Sequence, residues 1–204
     1  MQIQKENIRK DILDVARNQF LAKGYKAVSM RQIAALANIG VSNIYNYFEN
    51  KDDILVAILS PLLSKIEYFL NNHNQDKSLT IDVFVNQKRQ REMIETFLDL
   101  IMQYRAELNL LFFKCAGSSL ENFHDEYTDK HTLLAIEYLN KMKVKYPQIN
   151  NKISLFFIHT MSAWQMAIFG EVVSHDDLTN EDIEAFLSEY IEFSTAGWRK
   201  IMKA

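Results

Sequence analysis

The sequence predicts an all-helical fold, and three observations carry that expectation. Its 204 residues hold only two prolines and five glycines, far fewer chain breakers than the closely spaced turns of a sheet protein need. Apolar residues recur at helical spacing along most of the chain, beginning with Ile8, Ile12, Val15, Ala16, Phe20 and Leu21. Ser29, Asn50 and Thr179 each stand just before such a run, where a short polar side chain can accept from the free amides of a helix start.

The elements follow in order. A first helix over residues 4–23 ends at Lys23-Gly24, a basic last turn followed by glycine. Ser29-Met30-Arg31-Gln32 has the form of a capping box and starts a second helix at Met30, which ends near Ala37; Asn38 suits a left-handed residue there. A third helix runs from Val41 to Phe48. Asn50 caps a fourth from Lys51, with Asp52 and Asp53 in its first turn against the dipole. Pro61 kinks this helix without ending it, because Leu62, Leu63, Ile66, Phe69 and Leu70 continue its apolar face. The polar stretch 71–78 is a loop, and apolar-periodic segments follow at about 80–105, 107–117, 121–145, 150–174 and 180–203.

Composition narrows the function classes. With 48% apolar and 24% charged residues the chain is that of an ordinary globular protein. The lone Cys115 excludes a disulfide framework or a cysteine zinc cluster, and its setting is that of a buried, inert thiol. No stretch reaches the ~18–20 apolar residues of a membrane span, and the N-terminus lacks the apolar run of a signal peptide, so a cytoplasmic location is expected. Net charge is -3, but residues 1–55 hold eight Lys/Arg against six Asp/Glu. A mildly basic end on an acidic body permits local contact with phosphates.

Residues 30–48 concentrate the chemistry. Two short helices joined by a tight turn, the second polar on its outer face, form a helix-turn-helix. Ile33, Ala34, Ala37, Ile39, Ile44 and Phe48 face inward against Val15, Phe20 and Leu36, leaving Val41, Ser42, Asn43, Tyr45, Asn46 and Tyr47 outward or at the edges. Asn can bond adenine edges in two places, Ser and Tyr hydroxyls reach bases or phosphates, and the Val41 methyls can meet thymine methyls. Arg31 and Lys51 flank this face as phosphate contacts.

The spacing of Ile33, Ala34, Ala37, Ile39, Ile44, Tyr45, Tyr47, Phe48 and Lys51 resembles the N-terminal domain of the TetR-type bacterial transcriptional regulators, over residues 5–60. The resemblance implies a DNA-binding domain at 1–50 and a larger helical domain at 51–204 for effector binding and dimerisation. It implies base contacts from Ser42, Asn43, Tyr45, Asn46 and Tyr47, with Ser29, Arg31 and Lys51 on the DNA backbone. Asn38 and Gly40 depart from the usual glycine and serine of the pattern, and Val41 from an often basic or polar residue. Both turn changes are tolerable, since Asn enters the left-handed region and Gly is an acceptable N-cap.

The body supplies matching material. Residues 154–173 are apolar nearly all round, and the last helix is broadly apolar through Ile183, Phe186, Leu187, Tyr190, Ile191, Phe193 and Trp198. These two segments, 153–174 and 180–203, are expected to form the interface of a two-fold dimer. Phe97, Ile101, Tyr104, Phe112, Phe113, Tyr127, Phe156, Met161, Met166, His131, His159 and Trp164 are candidates to wall a pocket for a small organic effector. His124 and His131 with Glu121 and Asp125 share a helix, but the second motif of a di-metal site is missing, and neither a nucleotide-binding glycine loop nor an HExxH motif occurs. No metal, cofactor or catalytic group is therefore expected. The reading is a ligand-responsive repressor that binds a palindromic DNA operator as a homodimer. Its rivals are a helical protein-binding module with a degenerate helix-turn-helix, and a helical enzyme built on the His124 and His131 region.

Overall fold

Eight α-helices make up the regular structure of the computed structural model, which describes residues 2–204: α1 Gln2–Lys23, α2 Met30–Leu36, α3 Val41–Ile44, α4 Lys51–His73, α5 Gln87–Phe113, α6 Phe123–Lys145, α7 Leu155–Ser174 and α8 Asn180–Met202. Two 3-10 turns, Tyr25–Ala27 and Ile81–Phe84, complete the order, and no strand occurs among the described residues. The all-α expectation holds. The chain divides into two units, one reaching to Lys65 and adding Ala106–Phe123, the other made of Ile66–Arg105 and His124–Ala204.

The first unit is organised by α1. Ile12, Ala16 and Phe20, one turn apart, are fully buried, as are Ile33, Ala34, Ile44, Ile54, Leu55 and Leu59 of the same unit. Gly24 takes φ 78, a left-handed conformation that closes α1 through its amide on the Phe20 carbonyl at 2.8 Å. Leu36 is 56% exposed and so does not pack inward as its spacing suggested; it sits in the last turn of a seven-residue helix, past the face that meets α1.

The end of α5 completes this unit. Tyr25 donates its amide to the Lys114 carbonyl at 2.8 Å, the Lys114 ammonium donates to the Leu21 carbonyl at 2.6 Å, and Arg17 pairs with Glu107 at 2.6 Å. Leu108, Leu110 and Leu111 are buried, as is Cys115, whose thiol burial pushes up to about 11. A thiol so held is protonated and unreactive at neutral pH.

Helix α4 continues through Pro61, as its apolar face predicts. Proline removes the amide that would bond the carbonyl four residues back, which is that of Ala57. The Ser60 hydroxyl donates to this same carbonyl at 3.1 Å, so the missing bond is replaced locally. The helix also extends further than expected, because Asn72 donates to the Tyr68 carbonyl at 2.7 Å and carries the last turn to His73; the loop begins at Asn74.

The two segments expected to be separate, 80–105 and 107–117, meet within α5 at a kink, where Tyr104 has non-helical geometry, φ -128 and ψ 22, and the chain passes from the second unit to the first. The core of the second unit gathers Leu79, Leu139, Met142, Ile149, Ile158 and Met202. Helix α7 starts at Leu155, not near residue 150, since Asn150 is held outside it by bonds to the Met202 and Ile201 carbonyls, and Ser154 caps it by accepting from the Phe157 amide at 3.2 Å. Thr179 and Asp182 form the capping box of α8. Arg105 closes the C-terminal end of α7, donating to the carbonyls of Val172 (3.4 Å), His175 and Leu178 (3.2 Å), where a cation also complements the helix dipole.

Candidate functional site

The turn between α2 and α3 is built by hydrogen bonds that the local sequence dictates. Ser29 and Gln32 form the reciprocal capping box at the start of α2. At its end the Asn38 amide bonds the Ala35 carbonyl at 3.2 Å and the Ile39 amide bonds the Ala34 carbonyl at 2.9 Å, the Schellman pair, with Asn38 left-handed at φ 54. Gly40 caps α3 in extended geometry, its carbonyl accepting from Asn43 at 2.9 Å.

Helix α3 is shorter than the Val41–Phe48 helix that the spacing suggests. After Ile44 the Asn46 and Tyr47 amides bond three residues back, to Asn43 and Ile44, so the chain tightens to 3-10 geometry before Phe48. Buried Ile44 and Phe48 anchor the segment. Val41, Ser42, Tyr45 and Asn46 are exposed on its outer side, with Asn43 and Tyr47 partly covered. The Asn46 side-chain amide donates to Asn43 Oδ1 at 3.0 Å. The pair keeps one further donor and one further acceptor, the two kinds of group that an adenine edge answers.

Ser29 and Arg31 are exposed at the start of α2. Lys51 lies differently from its expected place as a free phosphate contact. Its ammonium donates to the Tyr25 carbonyl at 2.8 Å and the Val28 carbonyl at 2.7 Å, and stands 3.9 Å from the centre of the Tyr25 ring. These contacts turn the ammonium toward the protein's own carbonyls and ring. Burial lowers the Lys51 pKa, which Asp52 partly offsets. Lys51 thus ties the start of α4 to the backbone leading into α2.

A cavity of about 670 Å³ lies within the second unit. Of the residues expected to wall it, Phe97, His131, Met161 and Trp164 do so. Ile101 is fully buried elsewhere, Tyr104 sits at the irregular turn of α5, and Phe112 stacks on Phe123 in the first unit. Tyr127 stacks on His131 from behind with ring centres 5.8 Å apart, and His159 pairs with Asp129 at 3.8 Å. Apolar spacing cannot separate a cavity wall from packed core, because both are buried by the same helix face. His73, Tyr138, Tyr190 and Trp198 line the cavity without having been anticipated. For His73 the cause is the polar stretch that reads as loop; the other three follow the helical phase of their segments.

His131 Nδ1 lies 3.0 Å from Ser162 Oγ, and burial with the neighbouring His73 lowers its pKa to about 4. The native state therefore disfavours the charged form, while the unfolded chain takes up the proton near 6.5. The stability this provides is complete above about pH 6.5 and is lost as pH falls toward 4, at roughly 1.4 kcal/mol per pH unit. Replacing His131 with Phe should flatten this part of the profile in urea denaturation between pH 4 and 6.5; an unchanged slope would assign the effect to other groups.

Among the described residues no group of three or more His, Cys, Asp or Glu is placed to hold a metal, and no helix is long and apolar enough to cross a membrane.

Residues 12–58 match the family described as bacterial regulatory proteins, tetR family. The chain is 39% identical over 59 residues to the uncharacterized HTH-type transcriptional regulator YhgD of Bacillus subtilis (strain 168), covering 29% of this chain and 31% of that one. It is 39% identical over 64 residues to the HTH-type transcriptional repressor KstR of Rhodococcus jostii (strain RHA1), covering 31% and 30%. These matches span less than a third of either relative. Whole-fold similarity extends to NalD, the secondary repressor of the MexAB-OprM multidrug efflux pump in Pseudomonas aeruginosa, with TM-score 0.61, 17% identity and coverage of 94% and 96%. MexZ, described as a key repressor responsible for antibiotic resistance in Pseudomonas aeruginosa, gives TM-score 0.65 at 14% identity, covering 95% and 94%. Over residues 12–58, which hold the helix-turn-helix, the chain is therefore similar to the tetR family of bacterial regulatory proteins.

Proposed function

We propose that the protein is a cytoplasmic, sequence-specific DNA-binding regulator that represses transcription from a palindromic operator as a homodimer, and releases it when a small molecule enters the cavity. The observation that carries the reading is the outer side of α3 and the turn after it, where Ser42, Tyr45 and Asn46 are exposed on a segment locked from behind by Ile44 and Phe48. A polar face fixed by an apolar one is suited to base edges. Residues 1–50 form the DNA-binding domain in this reading and 51–204 the effector and dimer domain. Arg31 and Ser29 serve the phosphates, and Val41, Asn43 and Tyr47 complete the base-reading set, while Lys51 positions this surface from behind.

Binding to a palindrome upstream of the protein's own gene, followed by fluorescence anisotropy over a salt series, tests the proposal. Tyr45→Ala should weaken operator binding by about 1–3 kcal/mol, the range for a lost base contact. Tyr45 is 52% exposed, so the melting temperature should barely move. Equal loss on operator and unrelated DNA would remove base readout from Tyr45, and no salt-dependent DNA binding would favour a protein-binding module.

The dimer reading rests on the outward sides of α7 and α8. Leu155 and Phe156 are 62% and 81% exposed on α7, and Phe193 is 68% exposed on α8. Large apolar side chains left outward on adjacent helices favour burial against a second copy. Phe156→Glu should halve the mass in analytical ultracentrifugation while leaving the helical circular dichroism intact; an unchanged mass would place the interface elsewhere.

A further inference from the structure

The lining of the cavity is unusual in what its polar groups have in common. Among the described residues no Lys, Arg, Asp or Glu lines it; its polar groups are His73, His131, tyrosines, Gln165, the two indole N–H groups and hydroxyls. Tyr138 and Tyr190 are pushed up to about 12 by burial and stay protonated. A charged ligand here would lose its hydration without gaining a counter-ion, which is the costly way to bury an ion.

The two imidazoles are set in one tautomer by their outer partners. Asn74 Nδ2 donates to the Leu134 carbonyl and to Glu137 Oε2, both at 3.0 Å, and these accept only. The Asn74 amide is thereby oriented, so its Oδ1, 2.9 Å from His73 Nδ1, must receive a proton from the ring. The Ser162 hydroxyl donates to the Ile158 carbonyl at 3.1 Å, and so accepts from His131 Nδ1. In the neutral rings both Nε2 atoms are then acceptors. The rings stand 5.8 Å apart in an edge arrangement on one side of the cavity.

We infer that this cavity selects an uncharged, largely apolar molecule carrying a hydroxyl or N–H donor, received by the acceptor pair His73 and His131. The inference rests on the reading of the cavity as the effector site and names the ligand class for it. The volume of about 670 Å³ suits a drug-sized molecule. Phe97, Trp164 and Trp198 give it aromatic walls.

The chain's two tryptophans, Trp164 and Trp198, both line the cavity, so tryptophan emission reports its occupancy. Four probes of matched length separate the possibilities without absorbing in that range: 1-decanol, decanoate, decylammonium and decyl methyl ether. With the full-length protein at neutral pH, decanol should bind at least about tenfold more tightly than each of the other three, as a buried donor–acceptor match discriminates against analogues lacking it. His131→Phe keeps the ring packed on Tyr127 and should cut the decanol-to-ether ratio at least about threefold. Either ion binding as tightly as decanol, the ether matching it, or an unchanged ratio in His131→Phe would overturn the inference while leaving the cavity a ligand site. No change in emission with any of the four would overturn the inference and the effector reading together.

Discussion

Replacing Lys51 with methionine is expected to lower the unfolding free energy by about 1.5–3 kcal/mol, yet leave the salt dependence of DNA binding unchanged. Methionine keeps the apolar stem and removes the ammonium. The Tyr25 carbonyl retains the Val28 amide as a donor at 3.2 Å, whereas the Val28 carbonyl loses the ammonium at 2.7 Å. Losing a charge-assisted bond to a partly buried carbonyl costs more than the net worth of an ordinary hydrogen bond. A lysine on a DNA phosphate behaves in the opposite way: its removal lowers the slope of log K against log salt by about one and hardly touches stability. Urea denaturation and anisotropy from 50 to 200 mM salt distinguish the two. A reduced slope with unchanged stability would return Lys51 to the DNA surface.

Phe20→Ala is expected to cost about 3–5 kcal/mol, the range for deleting a fully buried aromatic side chain. Phe20 has no exposed surface and lies 5.5 Å, ring to ring, from Tyr25. Tyr25 is in turn held by the Lys114 carbonyl and Lys51, so the cavity has little freedom to collapse. The single cysteine offers a local readout, since Cys115 is buried in the same unit. If labelling follows the opening equilibrium, its thiol should react more than about a hundredfold faster in Phe20→Ala. A loss below 1 kcal/mol with unchanged labelling would mean that the site repacks.

Much of the fold was legible because its signals are short in range. Ser29 with Gln32, and Thr179 with Asp182, are capping boxes contained in four residues, and Asn38 adopts the left-handed geometry for which its side chain suits it. Pro61 was readable as lying inside a helix from the apolar face that continues past it, although the repair by Ser60 was not. What escaped depends on distant partners. Lys51 reads as a surface cation until the Tyr25 and Val28 carbonyls are seen to meet it from more than 20 residues away. Phe97 and Phe112 carry the same hydrophobic signal, yet one lines the cavity and the other stacks on Phe123, because periodicity records that a side chain is covered and not what covers it. The shortening of α3 at Ile44 has the same origin: buried Phe48 pulls the chain tight where Asn and Tyr propensities are nearly neutral.

The first unit is discontinuous in sequence, since Ala106–Phe123 return to it after the chain has built part of the second. This sets an order of events during synthesis. When residue 65 leaves the ribosome, the helix-turn-helix still lacks the Lys114 carbonyl that receives Tyr25 and the Leu108, Leu110 and Leu111 side chains of its core. Domains ordinarily fold as units while the chain grows. Here a nascent chain must keep its first apolar surfaces waiting for a segment some forty residues further on, so a fragment cut at residue 65 should be prone to aggregation, however complete its helix-turn-helix looks on paper.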